Sequence, residues 1–225
     1  MEAEKDPWRK QLSDNIDRVE GEEVRRKVIP MDVDDEACHT VNENIAWTRE
    51  CMKRLDRLVD EDSRRDILTG CAHTMPESRI AKLRDFYQET KDIDALMRFW
   101  QEDFLKNLKN RDPHEDWLKL IIDQGWGEVG MRVGRTVYAT KIPADMEAYF
   151  DAEDDVEMKR AYCHCQRVRD CIGFTDMSPT YCYCGAGFYK ANWERILGRP
   201  VDVFVLRSVM QGDDVCRFAI HVGSE

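Results

Sequence analysis

A chain of 225 residues with 42% hydrophobic residues is long enough to bury a core in one or two domains and too apolar to remain disordered. A net charge of −11 argues against duplex nucleic acid or an anionic membrane as partner, because phosphate binding needs clustered cations. No apolar run approaches the ~18 residues that cross a bilayer, and residues Met1 to Asp6 lack the basic-then-apolar order of a secretory signal, so the expected location is cytoplasmic.

Residues 1–110 read as helical. Trp8, Leu12, Ile16 and Val19 recur at helical spacing, as do Ile45, Met52, Leu55, Leu58 and Val59. A short helix is expected from Asp62 to Thr69, stopped by Gly70 in a left-handed conformation. Pro76 suits the first turn of the next helix, whose buried stripe is Ile80, Leu83, Phe86 and Tyr87. Ile93, Leu96, Met97, Trp100, Phe104 and Leu108 form the clearest amphipathic helix of the chain.

The texture changes at Asn110-Arg111-Asp112-Pro113, which marks off a second region, 111–225. It begins with a helix over Glu115 to Gln124, stopped at Gly125. Two strands about a turn follow, at Val129 to Val133 and Thr136 to Thr140. Ala144 to Ala161 reads as one acidic helix and Ala186 to Leu197 as another, the latter stopped by Gly198 and Pro200. Val201 to Val209 and Val215 to Val222 read as a terminal β-hairpin about Gln211-Gly212-Asp213-Asp214. The fold expected is α+β: a helical N-terminal half, then antiparallel sheet, helices and a closing hairpin.

Most of the chemistry lies in residues 162–187. Tyr162-Cys163-His164-Cys165 is followed by Cys171 and then by Tyr181-Cys182-Tyr183-Cys184-Gly185-Ala186-Gly187; Cys216 lies in the final strand. Nine cysteines is an odd number, and in a reducing compartment paired spacings speak for metal or redox chemistry before disulfides. Zinc takes four ligands in a tetrahedron and binds thiolates at ~2.3 Å. The expected set is drawn from Cys163, Cys165, Cys182 and Cys184, with Cys216 competing for a place. The one-residue spacer is less diagnostic than the usual C-x₂-C. An iron–sulfur cluster also takes four thiolates, but its familiar spacings are absent. A labile dithiol is a third reading; buried small side chains suit Cys171 and Cys216 better than two pairs.

In an extended segment His164 faces away from its neighbouring thiols, which weakens it as a ligand. Lys159, Arg160, Arg167 and Arg169 surround this stretch, with no acid among residues 159–169. Such a neighbourhood favours thiolate or an anionic ligand, or is a solvated helix face. The N-terminal half adds Cys38-His39, Cys51, and Cys71-Ala72-His73, the last expected to be exposed beyond Gly70 and within reach of the C-terminal site. No Walker loop, dinucleotide fingerprint, Gly-x-Ser-x-Gly or His-Glu-x-x-His occurs. Asp213 and Asp214 are accounted for by the turn.

Cys182-Tyr183, Gly185-Ala186-Gly187-Phe188, Gly198-Arg199-Pro200-Val201 and Gly212-Asp213-Asp214-Val215-Cys216-Arg217-Phe218 resemble the vinyl-reductase family of small-molecule-binding domains, which includes sensing modules of bacterial aromatic-responsive regulators. The closing Gly-Asp-x-x-Cys-x-Phe hairpin also resembles the family named for L-2-amino-thiazoline-4-carboxylic acid hydrolase, and the whole chain is similar to an uncharacterised bacterial and archaeal branch of these. The resemblance implies an α+β domain enclosing a ligand pocket. Some sensors of that family hold zinc by cysteines and a glutamate. Two of those ligand positions look like Cys182 and Cys216, while the other two fall near Val205 and Ser208, neither a usual zinc ligand. Either the zinc site of that family is lost here, or Cys163, Cys165 or Cys184 replaces the missing ligands; the second agrees with the spacing of the cysteine pairs and is the one expected.

The function expected is therefore a zinc-binding protein with a small-molecule pocket, in a sensing or binding role. His164, Arg167, Tyr183, Phe188 and Trp193 are the candidate pocket residues. A metal- or thiol-dependent hydrolase of a small amide- or thiazoline-like substrate, and a purely structural zinc, are the alternatives. The expected partner is a small-molecule ligand; a homodimer is left open.

Overall fold

The computed structural model describes residues 7–30, 40–110, 114–173 and 177–223. Among the described residues six helices precede position 110: α1 (Pro7–Glu20), α2 (Glu22–Val28), α3 (Val41–Leu58), α4 (Glu61–Thr69), α5 (Glu77–Thr90) and α6 (Ile93–Lys109). Their starts are encoded locally. Thr40 and Glu43 close a capping box on α3, Asp60 accepts from the Ser63 amide at α4, and Asp92 accepts from the Asp94 and Ala95 amides at α6. Most of the expected apolar stripe is buried, with Leu12 and Ile16 on α1, Met52 and Leu55 on α3, and Leu96 and Trp100 on α6; Leu58, at the end of α3, is exposed.

Past the boundary come α7 (Glu115–Gln124), β1 (Met131–Val133), β2 (Thr136–Thr140), α8 (Met146–Phe150), α9 (Asp155–Tyr162), α10 (Tyr183–Leu197), β3 (Asp202–Arg207) and β4 (Arg217–His221). The strands form one antiparallel sheet in the order β1-β2-β4-β3. Its register stacks Val203, Ile220 and Val137 in one row and Val205, Phe218 and Ala139 in the next. These rows pack into a core with α5, α6 and α10, so the period-2 alternation of the hairpin places its apolar face on the helices. The α+β architecture expected from the sequence is the one observed.

Three local expectations change. Gly70 is right-handed, at φ −69. Its glycine serves close approach instead, because a Cβ there would stand 2.7 Å from Asn15 Cγ of α1. Pro76 is the N-cap of α5, one residue before the helix. The single helix expected over Ala144 to Ala161 is two, α8 and α9, since the Asp154 side chain accepts from the Glu157 amide and starts a new helix.

Positions 111–113 of the expected boundary lie outside the described residues. The cores run across that boundary. One joins α5 and α6 to α10 and the sheet; another joins α1–α4 to Val168, Cys171, Met177 and Tyr181. The cysteine-bearing stretch is thus clamped between the N-terminal helices and the C-terminal hairpin.

Candidate functional site

Tyr162, the last residue of α9, is fully buried. Its hydroxyl donates to the Lys141 carbonyl at 2.5 Å and accepts from the Cys216 amide at 3.2 Å. The Lys141 amide in turn donates to the Cys216 carbonyl at 3.1 Å. One residue further, His164 Nε2 is 2.8 Å from the Ile142 carbonyl oxygen. A carbonyl only accepts, so Nε2 carries the proton and Nδ1 holds the free lone pair. These bonds tie the Cys163–Cys165 segment, the end of β2 and the start of β4 to one another.

A small cavity of about 20 Å³ lies at this junction, and Cys163, Cys165, Cys182 and Cys216 all line it, with Ser208 and Lys141. Sulfurs separated by up to 53 positions in sequence are thereby brought to one space. Cys182 Sγ and Ser208 Oγ are 2.8 Å apart. Ser208 is fully buried, and its hydroxyl also accepts from the Met210 amide at 3.1 Å, which starts the short 3₁₀ helix Val209–Gln211. The position matched by the family resemblance to a missing ligand therefore touches one of the thiols.

The four thiols are unequal. The interaction between the two neighbouring thiols pushes Cys163 up, as does burial, and draws Cys165 down, against burial and with help from Lys141. Burial raises Cys182, partly offset by Ser208, and burial also raises Cys216. Without a bound cation this is a mostly neutral thiol cluster with one acidic member. Among the described residues no group of three or more His, Cys, Asp or Glu side chains stands in metal-holding geometry. The donor chemistry nonetheless suits a thiophilic cation, since among the described residues four thiols, the Met210 thioether and no carboxylate border the space.

Cys184 is placed differently. It does not line the small cavity; its sulfur accepts from Trp8 Nε1 at 3.4 Å and reaches the Cys71 carbonyl at 3.6 Å. Burial lifts its thiol to about 11. Cys71 is buried, with its thiol on the Ile67 carbonyl at 3.4 Å, and not exposed beyond Gly70 as expected. Cys51 is in the core, as is Cys171. Cys38 and His39 lie outside the described residues.

A second, larger cavity of about 560 Å³ adjoins the first, a volume typical of small-molecule sites. His73, Phe188 and Tyr189 line it, as do Phe104 and the Arg79–Glu128 ion pair. Lys141 and His164 line both cavities. Of the pocket residues expected from sequence, His164 and Phe188 are there. Trp193 is fully buried in the core, 5.3 Å from the Trp100 ring. Arg167 stacks over Trp8 at 4.9 Å, and Tyr183 packs beside the core clusters without lining either cavity. Lys141 was not anticipated, and neither was a bonding role for Tyr162 or Ser208. Nothing in the local sequence marks Lys141, because its importance comes from strand pairing that only the fold supplies.

No family model, curated protein or solved structure matches this chain. The likeness to the vinyl-reductase and thiazoline-hydrolase families therefore rests on the motif residues alone.

Proposed function

We propose that this protein binds a small organic molecule in the larger cavity and a thiophilic metal ion, zinc by its donor preference, at the cysteine cluster beside it. The observation that carries the reading is the shared wall: Lys141 and His164 border both spaces. Cys163, Cys165, Cys182 and Cys216 are the residues that would hold the ion. The protons now shared between Cys163 and Cys165, and between Cys182 and Ser208, are the ones a metal displaces. When bound, zinc would fix these segments together, and with an open position it would also supply a Lewis acid. The motif likeness to ligand-sensing domains agrees with a binding or sensing role.

Elemental analysis of protein purified under reducing, chelator-free conditions tests the metal half. About one zinc per chain is expected, lost when Cys163 and Cys182 are both replaced by serine. Protein that is folded and metal-free after incubation with zinc would reject it.

A second reading is favoured by one observation. Among the described residues Cys165 is the cysteine whose thiol is drawn below its ordinary range, by the neighbouring Cys163 thiol and against burial. A thiolate there is a nucleophile for a small amide- or thiazoline-like substrate. Fast, single-site alkylation of metal-free protein at Cys165 by iodoacetamide at neutral pH, with loss of hydrolytic activity, would favour this reading over the first.

A further inference from the structure

One face of the sheet is covered by helices, with Val203, Phe218 and Ile220 packed into the core beside α5, α6 and α10. Alternate residues of the same strands point the other way. By register they form rows across the sheet: Tyr138, Ala219 and Phe204 in one, and Thr140, Arg217 and Arg207 in the next. This second face is open. Met131 and Val133 at its β1 edge are 59% and 66% exposed, and the half-buried rings of Tyr138 and Phe204 belong to none of the cores among the described residues.

Two features set this face apart from one that meets only water. Arg207 and Arg217 stand directly opposite each other on β3 and β4, and like charges in that arrangement repel. Among the described residues neither guanidinium has an ion pair or a hydrogen bond, and Arg217 Nε is buried without a partner. A buried donor left open costs stability unless something fills it. The one acid carried by the four strands, Asp202, is two rows away, opposite His221.

The adjoining row supplies the second feature. Tyr138 and Phe204 flank the small Ala219 and are two strand spacings apart, about 10 Å. Guanidinium groups already lie against both rings, Arg217 at 5.6 Å from the Tyr138 centroid and Arg65 at 4.7 Å from that of Phe204. Arg65 is balanced by Asp62 at 2.8 Å, so the uncompensated charge is that of Arg207 and Arg217. Paired cations one row from two rings, on a flat surface, complement a strand in which phosphates alternate with unstacked bases. A duplex hides the faces of its bases, and an acidic peptide leaves the rings unused. The net charge of −11 opposes polyanions at long range but is screened beyond about 8 Å, which confines contact to a short segment.

We propose that the open face of the sheet binds single-stranded nucleic acid, with phosphates on Arg207 and Arg217 and bases stacked on Tyr138 and Phe204. This uses none of the residues that line either cavity, so it stands apart from the metal and small-molecule readings.

The test is fluorescence anisotropy of the full-length protein with a labelled, unstructured RNA octamer and its DNA counterpart, from low to physiological salt. Both are expected to bind, since neither the guanidinium groups nor the rings read the sugar. The affinity should fall with salt on a log–log slope of about −1.4, the value for two phosphates of a single strand. Arg207→Gln or Arg217→Gln should weaken binding and bring the slope to about −0.7, while the urea midpoint holds or rises because the like-charge pair is gone. Phe204→Leu or Tyr138→Leu should weaken binding at least about fivefold, the lower end for loss of one stacked base. Arg207 is exposed, so its variant carries the test if Arg217→Gln does not fold. Absence of binding by both octamers at low salt, or affinity unchanged in Arg207→Gln, would overturn the inference. Displacement of the octamer by a duplex or by polyglutamate as readily as by unlabelled octamer would overturn it too.

Discussion

Tyr162 and Lys141 are joined by the shortest hydrogen bond of the site, hydroxyl to carbonyl oxygen at 2.5 Å, and the same hydroxyl accepts from the Cys216 amide. One phenol thus satisfies two backbone groups from strands that become neighbours only in the folded sheet. Tyr162→Phe keeps the ring and orphans both. The expected cost is about 1–3 kcal/mol, the penalty for leaving buried polar groups unpaired, read from urea unfolding. Faster amide exchange at Cys216 should accompany it. Unchanged stability and unchanged exchange at that amide would mean water replaces the hydroxyl at no cost.

The two glycines of Gly185-Ala186-Gly187 should respond in opposite ways to alanine. A Cβ on Gly187 would collide with the Thr69 carbonyl oxygen and stand 2.8 Å from Ala72 Cβ, both on the chain that α10 crosses. Backbone cannot move aside, so Gly187→Ala should cost at least the ~1–3 kcal/mol of ordinary overpacking. A Cβ on Gly185 meets only ordinary contacts, 3.5 Å from Lys141 Nζ and 3.6 Å from Phe218 Cζ. There the helix gains, and Gly185→Ala should be neutral or stabilise by up to about 1 kcal/mol. Denaturant midpoints of the two variants decide the matter; equal destabilisation would contradict the packing.

Much of this was readable from sequence, and the division between what was and was not is physical. Helices such as α3 and α6 announce themselves because caps and apolar stripes are local, as with Thr40-Glu43 and with Leu96 and Trp100. The β3–β4 hairpin was legible from alternation about a turn. The β2–β4 pairing was not, since β2 and β4 are separated by 76 positions, from Thr140 to Arg217, and no local pattern encodes that contact. The same limit applies to the site. Convergence of cysteines from two pairs was suggested by their spacing, but Lys141 and Ser208 enter only through tertiary neighbours. Trp193 failed as a pocket residue because an aromatic stripe is read equally well as core, and α10 buries it against Trp100.

The two cysteines of the second pair should separate in function. Cys182 faces the small cavity beside Ser208, whereas Cys184 faces Trp8 and the Cys71 carbonyl. If the cluster holds a metal, Cys182→Ser should release most of it and Cys184→Ser should retain it. Cys184→Ser should instead register as a change in Trp8 fluorescence, because the indole loses its sulfur acceptor. Metal content by elemental analysis checks the first outcome and emission spectra the second. Loss of metal in Cys184→Ser with full retention in Cys182→Ser would reverse the assignment.

The acid limb of stability should depend on Asp103, which anchors the wall of the larger cavity. Its carboxylate receives Arg79 Nε at 2.8 Å and Lys82 Nζ at 2.9 Å. Burial alone would raise its pKa; the bonds from Lys82 and Arg79 outweigh that and lower it from the usual 3.8. A carboxylate depressed in the folded state favours folding wherever it is ionised in the unfolded chain, which is above about pH 4. That contribution is lost as pH falls through the folded-state value. Asp103→Asn should therefore cost about 1.5–3 kcal/mol at neutral pH, the range for hydrogen bonds to charged groups. The gap to the parent protein should narrow steadily below about pH 4, as the parent loses the interaction that the variant already lacks. Thermal or urea unfolding of both proteins across the acid range measures it. Two curves that stay parallel down to acid unfolding would show that Asp103 keeps its proton equilibrium on folding, and that Arg79 is positioned by Glu128 alone.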